Sequence, residues 1–423
     1  MEKNSSGTDS RNPNAAENHH VGLDTALSVL RLTKSLLEWH GPRISGTKQC
    51  LDTAHQIEEM LDVHCDSAAE ERFELHPGSM WNLGRIMSAA YFASTVFLIA
   101  GCYLISLLLS AFGLFYGITI YIFCGKLFDI FFKKTEGCNA VGIIEPSGDV
   151  KQQVIISGHH DSPYTISFLA HLKKLARPRL LLAIATYVFL LLSCLVASLG
   201  ILFNPTWSMP DFIPVTVVVL GVIFLIPIFF IITRIPSPGA GDNLNASMMV
   251  IATAVHFDLQ KQKGAPLNHT RLIFLSTDGE EAGQRGAIEF ARRHRSELVA
   301  IPTFGLNMDS VFTLKDLTFL TRDRNSTCKL SEKMARDCRE IASGLGYKIK
   351  KTSLPFGSGS TDAAAFASMG VEATSIIGVS PKGDGKIVYH TVDDVVENIE
   401  PVAVEATLDI IINYIAHKDS ECK

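Results

Sequence analysis

Two adjacent carboxylates after an apolar run are the first residues with chemistry to offer. Glu280 and Glu281 lie in Ser276-Thr277-Asp278-Gly279-Glu280-Glu281-Ala282-Gly283, directly after Arg271-Leu272-Ile273-Phe274-Leu275. The apolar run reads as a buried strand. Past Gly283 the spacing of Ile288 and Phe290 among Glu289, Arg292 and Arg293 reads as a helix. The pair therefore stands at the carboxyl end of a strand, where open α/β sheets bind ligands. One carboxylate can hold a metal while its neighbour takes a proton from a water. A lone Glu-Glu pair is more often a solvated acidic turn, so the metal reading needs other ligands at other strand ends.

Such ligands occur in four further segments. His159 and Asp161 follow the strand-like Gln153-Val154-Ile155-Ile156-Ser157. In extended chain they share one face, and His160 takes the other. An aspartate beside a ligating histidine suits a partner that fixes the imidazole tautomer. Asp242 lies in Gly239-Ala240-Gly241-Asp242-Asn243, before a helical pattern. Asp309 follows the strand from Thr303 to Asn307, and His390 lies in Tyr389-His390-Thr391-Val392-Asp393-Asp394, ahead of the last helix. Singly, His390 reads as a surface or capping residue, Asp309 as a helix cap and Asp242 as a turn residue. Jointly, two histidines, two aspartates and one or two glutamates form a nitrogen–oxygen set that suits Zn²⁺, and one carboxylate can bridge two ions.

The elements that must position these residues form an α/β pattern. Strands are expected near 139–144, 153–157, 271–276, 303–308, 316–320 and 373–377. Helices are expected near 244–258, 284–295, 330–343 and 399–416. The alternation predicts a mostly parallel central sheet with helices on both faces. Ahead of it, Leu23 to Leu37 and the face Ala54, Ile57, Met60, Leu61 predict two amphipathic helices around the turn-rich His40-Gly41-Pro42-Arg43-Ile44-Ser45-Gly46-Thr47. Residues 1–20 are polar and read as a disordered tail. No secretory signal is expected at the start of the chain.

The 423 residues carry a net charge of −5, which argues against nucleic acid as a partner. The nine cysteines are scattered without a Cys-x-x-Cys pair, which suits a reducing compartment. Charged residues make up only 19% of the chain, and its apolar excess is concentrated. No charge occurs from Ile86 to Gly125, about twice the ~20 residues of one membrane span. A transmembrane hairpin is expected over 86–132, turning near Ser110 to Gly113. Leu180 to Phe203 and Phe212 to Thr233 predict a second one over 180–234, with Trp207 as an interfacial anchor. The lipid bilayer is thus an expected partner. The soluble parts fall at 21–82, 136–165 and 235–418. Lys126, Lys133, Lys134, Lys173, Lys174, Arg177, Arg179 and Arg234 flank the spans on one side, and the hairpin loops carry no Lys or Arg. The positive-inside rule places the soluble part in the cytosol. The spans hold no charge that would serve an ion path, which argues against a transporter.

The motifs His-x-Asp, Gly-Ala-x-Asp-Asn, Glu-Glu, Asn-x-Asp and His-Thr-x-x-Asp occur here in the order that resembles the co-catalytic di-zinc aminopeptidase and carboxypeptidase family, family twenty-eight of the metallopeptidases. Gly41-Pro42-Arg43-Ile44-Ser45-Gly46 and Asn139-Ala140-Val141-Gly142 are similar to that family as well. The likeness covers roughly 35–82, 136–165 and 235–418 and leaves out the spans. It implies two zinc ions bridged by Asp242, with His159 and Asp309 completing one and Glu281 and His390 the other. It implies Glu280 as general base, Asp161 as the residue orienting His159, and Tyr389 as a hydrogen-bond donor to the oxyanion. It implies a peptide substrate and an aminopeptidase. A carboxypeptidase, an N-acyl amino acid hydrolase or a catalytically silent receptor or assembly subunit are the alternatives, the last weakened because every metal position is filled. Glutaminyl cyclisation is disfavoured, since cyclases of this fold bind one zinc. Two departures stand out. Ser360-Thr361-Asp362 lacks the histidine the family often has after the aspartate, and the second hairpin interrupts the chain between Asp161 and Asp242. The oligomeric state is not legible.

Overall fold

Alternating apolar residues on the central strands set the layers. The computed structural model describes residues 19–167, 175–378 and 388–422. Eight strands run in the order β1 (Ser67–Leu75), β2 (Thr135–Ile144), β6 (Thr270–Thr277), β3 (Gln152–His159), β7 (Thr303–Asp309), β11 (Glu372–Ile377), β8 (Thr318–Asp323) and β10 (Lys350–Ser353). A short β9 (Cys328–Lys329) hangs from β8, and β4 (Tyr164–Ile166) pairs with β5 (Ile232–Pro236) in a separate ribbon. The middle of the sheet, β6-β3-β7-β11, is parallel; β1-β2, β2-β6 and β11-β8 are antiparallel, and the edge pair β8-β10 is parallel again. On β6, Leu272 and Phe274 face one core and Ile273 and Leu275 the other. On β3, Val154 and Ile156 oppose Ile155 in the same way. A strand buried on both faces needs a continuous apolar run, and these are the runs the sequence has.

Helices Leu23–His40, Lys48–Asp62, Asn245–Gln262, Glu332–Gly344 and Pro401–Glu421 cover the first face. Arg285–Arg293 and Ala363–Ser368 cover the second. The expected helix over 284–295 is broken at His294, and a separate turn, Arg295–Leu298, follows. The α/β sheet expected from sequence is therefore present. The expected disordered tail over 1–20 and the charges Lys173 and Lys174 lie outside the described residues, apart from positions 19 and 20.

The apolar stretches form helices Leu83–Ile99, Tyr103–Gly117, Ala176–Phe203 and Phe212–Phe229, with a wider turn over Ile118–Ile122. By length and composition, Tyr103–Ile122, Pro178–Phe203 and Phe212–Phe229 could each cross a membrane, while Leu83–Ile99 is shorter. The first hairpin turns at Gly101, whose φ of 75° suits glycine, and not near Ser110 to Gly113. Ser106, Ser110, Gly113 and Gly117 are instead the buried face of the second helix. A Cβ on Gly113 would strike Tyr187 and Ala90, so the small residues serve close helix packing. The span expected over Phe212 to Thr233 stops at Phe229, two residues after Pro227, and the chain goes on into β5.

Candidate metal centre

The parallel strands deliver their carboxyl ends to one edge, and the predicted ligands gather there. His159 ends β3, Asp309 ends β7, and Glu280 and Glu281 follow β6. Asp242 sits in the turn before Asn245–Gln262, where the Asp242–Asn243 peptide is cis. His390 reaches the cluster from the segment before the last helix. One atom each of His159, Asp242 and Glu281 lie within 4.8 Å of one another. His159 Nε2 is 3.3 Å from Asp242 Oδ1 and 4.0 Å from Glu280 Oε2. His390 Nε2 is 3.0 Å from Asp242 Oδ2 and 3.2 Å from Glu281 Oε1. Asp242 thus faces one histidine with each oxygen.

Asp309 is buried beside this group and accepts a hydrogen bond from Ser310 Oγ at 2.8 Å. Tyr389 stacks on the His390 ring with centroids 4.0 Å apart. His160, expected on the opposite face of the strand, is turned away from this group. Its Nδ1 pairs with Ser276 Oγ at 2.9 Å, and the side chain groups with Cys50 and Asp278.

Charge alone asks for a cation here. Burial opposes ionisation of Glu280, Glu281 and Asp309, and neighbouring carboxylates oppose it further. The Asp309 carboxyl is pushed up to about 8. Burial works against protonated His390, but Glu281 and Asp242 outweigh it and push the imidazole up to about 10. Burial also resists the Asp242 charge, yet contact with His159 and His390 holds its carboxyl well below the usual range. His159 Nε2 and Asp242 Oδ2 are buried with no hydrogen bond of proper geometry, the 3.0 Å approach of His390 included. Unpartnered lone pairs in a buried nitrogen–oxygen set are the donors a zinc ion takes. The residues fit the group.

The surrounding side chains hold this arrangement in place. Asp161 is fully buried and lies 3.2 Å from His159 Nδ1. It also accepts from Ser45 Oγ at 2.6 Å, Glu280 N at 3.2 Å and Glu281 N at 3.1 Å. Asp161 therefore positions the imidazole, with its main-chain O 3.1 Å from His159 Nδ1 and its carboxylate at 3.2 Å, and its carboxylate holds the turn that carries both glutamates. Asp394 accepts from Gly241 N at 2.7 Å and Asp242 N at 3.2 Å. Asn243 donates to Met308 O at 2.9 Å and accepts from Ser310 N at 3.2 Å, tying the Asp242 turn to β7. Arg43 is buried and donates to His160 O, Pro238 O and Gly239 O at 2.7, 3.0 and 2.6 Å. The sequence reading quoted Arg43, Asn243 and Asp394 within motifs but gave them no part. A buried arginine saturated by backbone carbonyls has no signature beyond the Gly-Pro-Arg turn itself.

Comparison with known proteins agrees with this geometry. Residues 226–415 match the family model of peptidase family M28, a span that contains Asp242, Glu281, Asp309 and His390. No curated protein sequence matches significantly. A zinc aminopeptidase from Bacillus subtilis superposes with a TM-score of 0.55 at 14% identity, covering 95% of this chain and 96% of its own. A glutaminyl cyclase from Fimbriiglobus ruber gives 0.54 at 12%, covering 95% and 96%. A Zn-dependent exopeptidase from Parabacteroides distasonis gives 0.52 at 14%, covering 94% and 99%. At these identities the superpositions establish the fold, and the stretch that carries Asp242, Glu281, Asp309 and His390 matches the model of peptidase family M28.

Proposed function

We propose that this chain is a membrane-anchored zinc exopeptidase that removes the N-terminal residue of peptides. The observation that carries the reading is Asp242 held between His159 and His390, with Glu281 beside it and Glu280 4.0 Å from His159 Nε2. His159 and Asp309 would hold one zinc ion, Glu281 and His390 the other, and Asp242 both. Bound there, zinc supplies a Lewis acid and a water that ionises near neutral pH. Glu280 is the free carboxylate of the set. It takes the proton of the attacking water and passes it to the leaving amine. Asp161 keeps His159 and the Glu280–Glu281 turn in register. Tyr389, fixed on the His390 ring, donates its hydroxyl to the oxygen that gains charge.

Anchoring is supported by the exposed apolar side chains of the long helices, such as Leu104, Leu108, Leu192 and Leu202. The second hairpin is rooted in the site itself. Ile166 N of β4 donates to His390 O at 2.9 Å, and Ser237 Oγ, just past β5, donates to Thr391 O at 2.8 Å. The catalytic edge then faces the bilayer surface on the cytosolic side.

Several of the similar structures are glutaminyl cyclases, so the substrate panel must separate cyclisation from hydrolysis. The test is detergent-purified, zinc-supplemented protein assayed on aminoacyl amides, carboxyl-terminal peptides, N-acyl amino acids and peptides beginning with glutamine. Release of the N-terminal residue supports the proposal. Pyroglutamate formation without hydrolysis, or cleavage confined to acyl amides or C-termini, overturns the aminopeptidase assignment. Inactivity on every member with metal bound overturns the enzyme.

A further inference from the structure

A second group of ligand-type side chains lies behind the first. Cys50 opens the helix Lys48–Asp62, His160 follows the last residue of β3, and Asp278 follows the last residue of β6. All three are fully buried. One ligand atom of each lies within 4.8 Å of the others. Cys50 Sγ is already 3.3 Å from Asp278 Oδ1. Tetrahedral zinc with ordinary bond lengths separates its ligand atoms by ~3.3–3.8 Å. The sulfur–oxygen edge thus has the right length, and the imidazole needs to move by ~1 Å or less.

The imidazole is the telling member. Ser276 Oγ engages Nδ1 at 2.9 Å, and Ser276 is steadied by Ser247 Oγ at 2.7 Å. That is how an outer hydrogen bond fixes a ligating ring. His160 Nε2 is left buried with no partner at all. A core nitrogen with nothing to bond costs ~1–3 kcal/mol, and the hydrogen bonds of Asp278 to Cys138 N and Cys50 Sγ do not relieve it. A cation between the three groups uses the free nitrogen, the thiolate and the carboxylate together.

We infer that Cys50, His160 and Asp278 form a further, thiolate-containing metal site for zinc or a similar transition metal, distinct from the centre at Asp242. Binding displaces the thiol proton of Cys50 to solvent and forms the metal–sulfur bond. All three members are fully buried, so the metal enters as the chain folds. It braces the helix Lys48–Asp62 against the turns that carry His159 and Glu280.

Sulfur separates the two centres, because the Asp242 centre contains none. The protein is produced in cobalt-supplemented medium, and its absorption and metal content are recorded. The expected result is a near-ultraviolet sulfur-to-cobalt charge-transfer band and one metal equivalent beyond those of the Asp242 centre. Cys50→Ser should abolish the band and remove that one equivalent, while Cys138→Ser, altering the thiol next to Asp278's backbone partner, should leave both. Cobalt bound without any charge-transfer band in the unaltered protein overturns the site, whatever Cys50→Ser does to folding, and leaves the Asp242 centre standing. A band that survives Cys50→Ser overturns it too. Protein that binds no cobalt at all overturns both centres.

Discussion

At the scale of single residues, the account rests on carboxylates whose roles differ through their neighbours. Asp161 accepts from two backbone N–H groups and a serine while it faces His159. Asn at this position would turn an NH₂ toward those donors. Asp161→Asn should lower zinc affinity or kcat by ~10–100-fold with KM little changed, checked by steady-state kinetics and competition with a chelator. Asp323 carries a different burden. It is buried and held by Thr361 N and Oγ1, yet burial raises its carboxyl from 3.8 to about 6. A folded-state value above the unfolded one means the native protein holds the extra proton between those two pH values. Stability is therefore full below about 3.8 and falls as pH rises through about 6, by ~3 kcal/mol at most. Asp323→Asn should flatten that fall. Melting temperatures of both proteins from pH 4 to pH 7 check it, and parallel curves would contradict it.

At the scale of elements, one buried arginine makes three of the links between the first apolar hairpin and the catalytic sheet, beside Asn325 Nδ2, which donates to Tyr121 O at 3.1 Å. Arg285 Nη1 donates to Cys124 O at 3.1 Å, and Nη2 donates to Gly125 O and Asp129 Oδ1 at 3.0 Å. Its side chain is 3% exposed, so Arg285→Met leaves Asp129 and two carbonyls without their donor. The variant should lose ~3–5 kcal/mol in denaturant unfolding monitored in detergent. The same scale shows what the sequence made legible. Strands such as Leu272–Leu275 were readable because burial on both faces demands an unbroken apolar run. Ligands were readable because each follows such a run. β1 was not, since only Phe73 and Leu75 at its end are buried, while the charged run Glu70-Glu71-Arg72 has Glu70 and Glu71 half-buried against His55 and Arg293 and leaves no period to read. The hairpin turn was misplaced because Ser110 and Gly113 look like turn residues. Inside a helix bundle the same small side chains instead admit a close neighbour, and only the packing partners Tyr187 and Ala90 distinguish the two uses.

At the scale of the molecule, two apolar hairpins and one sheet share a single functional edge. If each hairpin crosses twice, as proposed, the chain returns to its starting side both times and every part of the sheet lies on one side of a bilayer. Cys102, exposed at the tip of the first hairpin, then lies on the opposite side from Cys328, which is half-buried by β8. In sealed vesicles of known orientation, a membrane-impermeant maleimide should label Cys102 only from the side away from the catalytic part. Labelling of Cys102 and a catalytic-side marker from the same side would contradict two crossings per hairpin. The root of the second hairpin is bonded to the His390 backbone, so the proposed anchor and the proposed metal centre are joined directly.

The central claim is that Glu280 is a proton carrier beside a metal set it does not need to complete. The most direct measurement compares wild type and Glu280→Gln in one preparation, for zinc content and for the rate on the best substrate. The account predicts equal zinc content and a rate lower by ~10²–10⁴-fold. A variant that keeps its rate, or one that loses activity only because its zinc is gone, would contradict it.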